Sequence, residues 1–350
     1  MRICFVVADV RAQQLHYAGI YLALASHRRG HEVRFVSVDD LSFLDDNTVL
    51  ATTRRVRHGD YASTTAYTRA LSSDEAVIEE DNLGNFEVVF LRYNPNRENV
   101  GRVGTPLIDF AWRLRLGGTL VVNDHEGLRR AASRLYLNEF PPDIRAKTLV
   151  SRSPAQLKQW VRALGGPAVL KPLQPRGGEH VFFVPRRKPS NLNQIITTVT
   201  EKGYAIAQEY LPEIERGEKR LLLLGAEPIR MGKRVAVYRR QTVIGGERTN
   251  GTAAGGGGGG RFRCDFGRAE QRICDMIRPK LLADGLYLVG VDIVGDKILE
   301  LNVYTPGGIH SLHELYGVDV ADIVIRDLER RTRLRAAYRT TFDPEAADVV

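Results

Sequence analysis

Apolar residues along this chain fall into short runs and alternations, with polar stretches between them. Residues 3–8, Ile-Cys-Phe-Val-Val-Ala, form an unbroken apolar run, the pattern of a parallel strand covered on both faces. A helical stretch follows from about Tyr17 to His27, closing near Gly30, and Glu32 to Val38 alternates like a second strand. This β-α-β opening predicts an α/β unit. Asp39 to Asn85 is polar and rich in Thr, Ser and Asp, so it reads as irregular excursions with one short helix. Phe86 to Leu91 and Gly118 to Asn123 supply further strands, which closes the first unit near residue 122.

Beyond Asp124 the texture changes. Glu126 to Phe140 reads as a helix stopped by Pro141-Pro142, and Lys147 to Ser151 as a strand. Ser153-Pro154 is a capped helix start. Ala168 to Pro172 and His180 to Val184 are strands flanking a glycine loop, Gln174-Pro-Arg-Gly-Gly178. A polar helix near Asn193 to Lys202 precedes strands at Tyr204, Lys219 and Val235. A glycine-filled loop, a helix and a hairpin from Leu286 to Val303 complete the pattern. The units expected are 1–122, 123–203 and 204–335, with a tail over 336–350. The class is mixed: a doubly wound α/β unit first, then α+β lobes.

Composition narrows the functions open to such a chain. Its 350 residues are 43% hydrophobic and 26% charged, which fits a globular protein and argues against disorder. No run approaches the ~18 apolar residues of a membrane span, so no membrane partner is expected. Met1 to Asp9 reads as a strand and not as a signal peptide. Three cysteines, Cys4, Cys264 and Cys274, have no ligand-like spacing, which suits a reducing cytoplasm. The net charge of +8 favours an anionic partner. Nucleic acid is not expected, because no helix-turn-helix, zinc-finger or aromatic RNA-binding signature accompanies the charge. Much of the excess lies in Arg326 to Arg339, the solvated face of a terminal helix.

The hairpin carries the most chemistry. With a three-residue loop, Gly295 to Lys297, Asp292 pairs with Glu300 and Gly290 with Asn302. One face then holds Asp292, Glu300 and Asn302, and the other holds Val291, Ile293, Leu299, Leu301 and Val303. A two-residue loop would scatter the carboxylates across both faces, at several kcal/mol for each one misplaced. Two carboxylates and an amide oxygen on one sheet face suit Mg²⁺; a merely solvated amphipathic hairpin is the plainer alternative. Lys171 ends a strand that reads as buried, and Gly177-Gly178 downstream would let backbone N–H groups approach a phosphate. A tight hairpin alone would also explain the glycine pair. In Gln208-Glu-Tyr-Leu-Pro-Glu213 a strand leaves its sheet through Leu-Pro, offering backbone groups to a planar base and Glu213 to a ribose; an ordinary strand end reads the same way. His310 and His313 either meet substrate or are surface histidines.

Taken together, Leu170-Lys-Pro-Leu173, Gly177-Gly178, Ala207 to Ile214, Gly217-Glu-Lys-Arg220, Gly245-Gly-Glu247 with Ala253 to Gly256, and Val289 to Asp296 through Glu300-Leu-Asn-Val303 are six ordered motifs. With them the chain resembles the ATP-grasp superfamily, specifically the prokaryotic glutathione synthetases, from residue 1 to about 330. The resemblance implies an ATP-grasp fold with an N-terminal doubly wound α/β domain. It further implies an ATP-dependent carboxylate–amine ligase working through an acyl phosphate, with γ-glutamylcysteine and glycine as the first substrate pair. A different acid and amine, or a non-catalytic nucleotide-binding regulator, are the alternatives. The implied ATP contacts are Arg134, Lys171, Gly177, Gly178, Gln208, Glu209, Tyr210, Leu211, Glu213 and Glu218. Asp292, Glu300 and Asn302 would hold Mg²⁺, with Mn²⁺ able to substitute. Arg220, facing the reacting acyl group, and Arg248, the lid arginine, would be catalytic, and Arg92, Asn94, Tyr304, Thr305, Pro306 and Gly307 would meet substrate. Thr242 to Gly260, with six consecutive glycines, would be a lid that keeps water from the acyl phosphate. A homodimer or homotetramer in the cytoplasm is also implied.

Several positions depart from the family pattern. Arg92-Tyr-Asn-Pro-Asn96 stands for Arg-Lys-Asp-Pro-Pro, and Asp9-Val-Arg-Ala-Gln-Gln replaces an Asp-Pro followed by a lysine and serine cluster. Arg134 takes the place of a lysine, which is not equivalent in phosphate geometry. Gln174-Pro-Arg-Gly-Gly replaces Asp-Gly-x-Gly-Gly, Arg248 sits one place early, and Thr305-Pro306 after Tyr304 replaces Ser-Pro. The positions that changed are those expected to meet acid and amine, so the reaction type is firmer than the substrate.

Overall fold

Alternate residues of the first strand enter two different cores, and the rest of the N-terminal unit follows from that. The computed structural model describes residues 1–95, 101–173, 181–186, 191–241 and 260–341. In β1 (Arg2–Val7), Ile3, Phe5 and Val7 pack with Ile20 and Leu22 of α1 (Ala18–Arg28). After β1 come β2 (Glu32–Ser37), β3 (Leu41–Phe43), β4 (Val49–Arg55), α2 (Thr64–Ser72), β5 (Val77–Asn82), β6 (Val88–Arg92), α3 (Gly101–Leu116) and β7 (Leu120–Val122). Cys4 and Val6 face the other way, toward Leu107, Ala111 and Leu114 of α3. The sheet order is β3-β4-β2-β1-β6-β7 with β5 on β4, and β2, β1, β6 and β7 run parallel. Helices on both faces make this the doubly wound unit expected.

The segment expected to be irregular, 39–85, instead adds strands β3, β4 and β5 to one edge of the sheet. Its polar residues are satisfied across strands and not by water alone. Arg34 and Arg55 reach Glu79 at 2.8 and 3.1 Å, and Arg2 and Arg34 reach Asp81 at 2.7 and 3.2 Å. Cross-strand ion pairs of this kind hold a sheet edge without an apolar alternation.

The helix expected over 126–140 is broken. α4 (His125–Ala131) ends early, and the Ser133 hydroxyl accepts the Leu135 N–H at 3.2 Å to start a 3₁₀ turn over Arg134–Glu139. Then follow β8 (Thr148–Ser151), α5 (Pro154–Leu164), β9 (Ala168–Pro172), β10 (Phe182–Val184), α6 (Leu192–Thr200) and β11 (Ala205–Glu209). As anticipated, the Ser153 side chain caps α5, with Pro154 in its first turn. The four strands form an antiparallel sheet in the order β10-β9-β11-β8. Ala168, Leu170, Ala205 and Ala207 bury one face against Leu157, Ile196 and Val199 of the two helices. Val169, Lys171, Ile206 and Gln208 therefore lie on the opposite face.

The last unit contains β12 (Glu218–Leu224), the short strands β13 (Glu227–Pro228), β14 (Arg230–Met231) and β15 (Arg234–Val235), β16 (Val237–Arg240) and β17 (Arg261–Arg263). It continues with α7 (Arg268–Ala283), β18 (Leu288–Val294), β19 (Lys297–Asn302), α8 (Ile309–Tyr316) and α9 (Val320–Thr341). The main sheet runs β17-β16-β12-β18-β19. α9 extends six residues into the segment set apart as a tail, and residues 342–350 lie outside the described residues. Among the described residues no helix is long and apolar enough to cross a membrane.

Several contacts fix the N-terminal unit to this lobe, two of them through Arg29 and Asn123. Arg29 forks onto Glu329 of α9 with two bonds of 2.8 Å and reaches Asp322 at 3.0 Å. The buried Asn123 amide, just after β7, donates to the carbonyls of Leu288 and Val303 at 2.8 and 2.7 Å and accepts the Leu288 N–H at 2.7 Å. It thereby pins both outer ends of the β18–β19 hairpin. Asn123→Ala strands three buried backbone groups, so it should cost about 3 kcal/mol or more in urea unfolding. A loss below about 1 kcal/mol would show that the hairpin is held elsewhere.

Candidate active site

The β18–β19 hairpin has the pairing expected, reached by a different route. Asp292 is the partner of Glu300 and Gly290 of Asn302, but Val294 pairs with Lys297, which leaves the two-residue turn Gly295-Asp296. Gly295 takes φ of +59°, a conformation glycine adopts at little cost. A bulge after Asp292, where Ile293 pairs with Ile298 and Leu299 is the extra residue, restores the register that so short a turn would have flipped. The two carboxylates thus share a face because the bulge compensates for the turn.

Pairing extends this row across four strands. Tyr238 is the partner of Arg220, Arg220 of Asp292, and Asp292 of Glu300; the neighbouring row pairs Arg240 with Glu218. Asp292 has no solvent exposure. Arg220 forks onto it, its Nε meeting Oδ1 and its Nη2 meeting Oδ2 at 2.6 Å. Arg240 Nη2 adds a contact of 2.9 Å and Asn302 Nδ2 one of 3.2 Å. Burial alone would raise the Asp292 pKa, but Arg220 and Arg240 together hold it below the usual carboxylate range. Glu218 is 2.6 Å from Arg240, yet burial and the adjacent Asp292 push its carboxyl upward. Gly290 lies against this packing: a Cβ there would make ordinary contact, 3.4 Å from Arg220 Cδ and 3.5 Å from Pro306 Cβ. Arg240 was not singled out from the sequence; only the pairing of β16 with β12 brings it to Asp292.

The open face of the small sheet supplies the cations. Lys171 Nζ donates to Gln208 Oε1 at 3.0 Å, Gln208 Nε2 reaches Thr148 Oγ1 at 3.4 Å, and Arg134 Nη1 donates to the Pro172 carbonyl at 2.9 Å. Burial, helped by Arg134, pushes the Lys171 ammonium down to about 8. Burial also lowers Arg134, and Glu300 opposes the shift in both, so the three sit within electrostatic reach of one another. Val169 and Ile206 share this face with Lys171, and Phe183 meets Tyr210 edge-on at 4.9 Å. Strand alternation would have singled out Val169 and Ile206, had the open face been read residue by residue.

Other expected contacts are engaged within the protein. The Glu209 carboxylate accepts the Lys147 N–H at 2.8 Å, and the Tyr210 N–H donates to the Pro167 carbonyl at 3.1 Å. The Leu211 carbonyl accepts the Ile214 N–H at 3.1 Å. Glu213 is exposed and packs against the Gly295 turn. Tyr304 is buried, and its hydroxyl donates to the Leu128 carbonyl at 2.6 Å, so this side chain belongs to the packing and not to a substrate surface. Arg92 donates to the Pro306 carbonyl at 3.2 Å, and its Nε has no partner among the described residues. Desolvation pushes its guanidinium down to about 10. Arg220 Nη1 reaches the Gly307 carbonyl at 3.4 Å, so Pro306 and Gly307 join the two arginines while Thr305 is exposed. Asn94 lies two residues beyond Arg92, past the end of β6. Gly177, Gly178, Arg248 and the segment 242–259 of the expected lid lie outside the described residues.

The arrangement fits a hard divalent cation in its donor types: two carboxylates paired across strands and one amide oxygen. No cluster of three or more His, Cys, Asp or Glu among the described residues forms a ready-made cage. Both Asp292 oxygens are held by guanidinium groups. An ion can reach them only if Arg220 or Arg240 moves to another anion, such as a phosphate.

Comparison with known proteins gives the context. Residues 1–129 match the family model for the prokaryotic glutathione synthetase N-terminal domain, and residues 133–317 match that for its ATP-grasp domain. The glutathione synthetase of Gloeobacter violaceus is 31% identical over 338 residues, covering 95% of this chain and 98% of that one. That of Coxiella burnetii is 32% identical over 326 residues, covering 93% and 92%. Among solved structures, D-cycloserine synthetase DcsG superposes with a TM-score of 0.59 at 14% identity, over 93% of this chain and 99% of that one. A RiPP-associated ATP-grasp ligase from Chryseobacterium gregarium reaches 0.60 at 14% identity, over 93% and 97%. At such identity these two speak for the fold alone.

Two outcomes follow from the geometry. Arg220→Met leaves Asp292 buried with half its cationic partners, so urea unfolding at pH 7 should show a loss of about 3 kcal/mol. A loss under about 1 kcal/mol would mean that Arg240 alone suffices. Bound phosphates favour the charged form of Lys171, so ADP binding should take up roughly 0.7 proton at pH 8.5. Calorimetry in buffers of different ionisation enthalpy reads this uptake, and Lys171→Arg should remove it; an unchanged uptake would place the titrating group elsewhere.

Proposed function

The chain belongs to the prokaryotic glutathione synthetase family, and from that premise we propose that it joins γ-glutamylcysteine to glycine through an acyl phosphate. It is an ATP-dependent, ADP-forming carbon–nitrogen ligase, and the family uses ATP with a divalent metal ion. The substrate pair is supported by kinship with the glutathione synthetases, and the phosphoryl chemistry by the row Arg220–Asp292–Glu300 set beside the Lys171 and Arg134 cations.

Each residue has a physical task in that reading. Lys171 and Arg134 are desolvated cations that gain most from a polyphosphate. Gln208 orients Lys171, and the segment 209–211 with Glu213 and Glu218 borders the nucleotide. Asp292, Glu300 and Asn302 would hold Mg²⁺, with Mn²⁺ able to substitute; such an ion neutralises charge on a transferred phosphoryl group. Arg220, once released from Asp292, faces the charge that develops as the acyl phosphate forms and collapses. Arg92 receives a substrate carboxylate, since it lies at the same loop with an Nε that has no partner among the described residues. Gly177, Gly178 and Arg248 are assigned to phosphate and lid by the resemblance, as are Asn94, Thr305, Pro306 and Gly307 to the substrate edge.

The departures at Arg92–Asn96 and Asp9–Gln14 favour one alternative, a ligase of the same type with another acid and amine. Free thiols at Cys4, Cys264 and Cys274 agree with a cytoplasmic setting, and family kinship supports a dimer or tetramer. The decisive assay mixes γ-glutamylcysteine, glycine and Mg-ATP. One ADP released per glutathione formed is expected. Amide formation with other acid and amine pairs, but none with this one, would transfer the proposal to the alternative.

A further inference from the structure

The seam between the N-terminal unit and the last lobe holds a cluster of ring side chains with no role in the site so far. His16 reaches it from the loop after β1, Tyr21 from α1, and His310 and His313 from α8. Tyr21 Oη is 2.8 Å from His310 Nδ1. The His16 and His310 rings are 6.2 Å apart, and the Tyr21 and His313 rings 5.9 Å.

The chain leads from this cluster directly to Arg220 and Arg92. His310 stands in the first turn of α8, three residues beyond Gly307, whose carbonyl takes the Arg220 contact of 3.4 Å. Gly308, at the start of that helix, lies against Arg220: a Cβ there would be 3.6 Å from Arg220 Cγ. Pro306, two residues earlier, carries Arg92 on its carbonyl.

Amide formation needs a base, because an amino-acid amine is an ammonium at neutral pH and only its free form carries the attacking lone pair. The groups nearest the acyl position are poorly suited to it. Arg92 and Arg220 are guanidinium cations and Asp292 is saturated by ion pairs; Glu218, although its carboxyl is pushed up to about 7, is tied to Arg240 and assigned above to the nucleotide. An imidazole is different. Burial holds His310 toward its neutral form; Glu314 opposes this, while Arg261, His16 and His313 reinforce it. Tyr21 has its own pKa raised by burial, with Thr64, Glu314 and Asp319 as its other neighbours, so its hydroxyl stays protonated. In the tautomer whose Nδ1–H donates to the Tyr21 oxygen, Nε2 keeps the lone pair that a base needs.

Resting on the ligase reading above, we propose that His310 accepts the proton of the attacking amine and that Tyr21 positions its ring across the seam. One ammonium N–H bond breaks, and that proton passes to His310 Nε2. The freed lone pair forms the C–N bond as the acyl C–O bond to phosphate breaks. The proton that the new amide nitrogen must still lose leaves with the phosphate.

The test compares the native amine with hydroxylamine, which is already unprotonated at neutral pH and needs no base. His310→Gln should lose about 100-fold or more in kcat with the native amine, yet keep hydroxamate formation within about threefold. The acid limb of its pH–rate profile should disappear, and Tyr21→Phe should shift that limb with a smaller loss. Retained hydroxamate formation also shows that the variant is folded. Equal losses with both nucleophiles, or an unchanged acid limb, would overturn the assignment. Wild-type protein that forms neither amide nor hydroxamate with any acid would count against the ligase reading instead. Nitrogen-15 NMR of the substrate-free protein then still decides the matter. A neutral His310 at pH 7, with an Nδ1 signal that moves in Tyr21→Phe, is expected; a charged His310 would exclude the role.

Discussion

A carboxylate stripped of water in the middle of a β-sheet has to be neutralised by its neighbours, and the site is organised by that requirement. Asp292 has no solvent contact and four donors from Arg220, Arg240 and Asn302. Removing such a carboxylate from water costs several kcal/mol, which only well-placed charged partners offset. Strand pairing places those partners, because Arg220 and Glu300 flank Asp292 in one row and Arg240 lies in the next. The same ion pairs that let the sheet fold keep the Asp292 carboxylate engaged, and in the proposed function another anion must draw the arginines away before it can meet a ligand.

The opposite condition holds among the cations beside this row. Lys171, Arg134 and Arg92 are cations whose surroundings disfavour their charge. Among the described residues none has a carboxylate in direct contact, and each donates to a neutral oxygen instead. A site of this kind holds electrostatic strain that a phosphate or carboxylate relieves on binding. One half of the site is thus charge-saturated and the other charge-hungry, an arrangement suited to moving a phosphoryl group between two anions. Asn123 and the Arg29–Glu329 fork keep the N-terminal unit, with Arg92, in register with the hairpin.

Much of this was legible in the chain, for identifiable reasons. Asp292, Glu300 and Asn302 stood out because apolar alternation around them leaves a single register that spares the core. The turn was misjudged by one residue, since a bulge at Leu299 carries no mark in composition, yet burial enforced the same pairing. Strands β3 to β5 were missed because ion pairs such as Arg34–Glu79 replace the apolar alternation that marks a strand. The helix after Glu126 broke where Ser133 offers its hydroxyl to a following N–H, a local competition that periodicity does not register. Arg240 and the partners of Tyr304 depend on which strands meet, and no local pattern carries that information.

The central claim is that a carboxylate is activated as an acyl phosphate at this charge-divided site. Turnover with an acid labelled by oxygen-18 in both carboxylate oxygens tests it most directly, with phosphorus-31 NMR reading the inorganic phosphate formed. The account requires one labelled oxygen in each phosphate released and the other in the amide. Unlabelled phosphate from an enzyme making amide at full rate would contradict it.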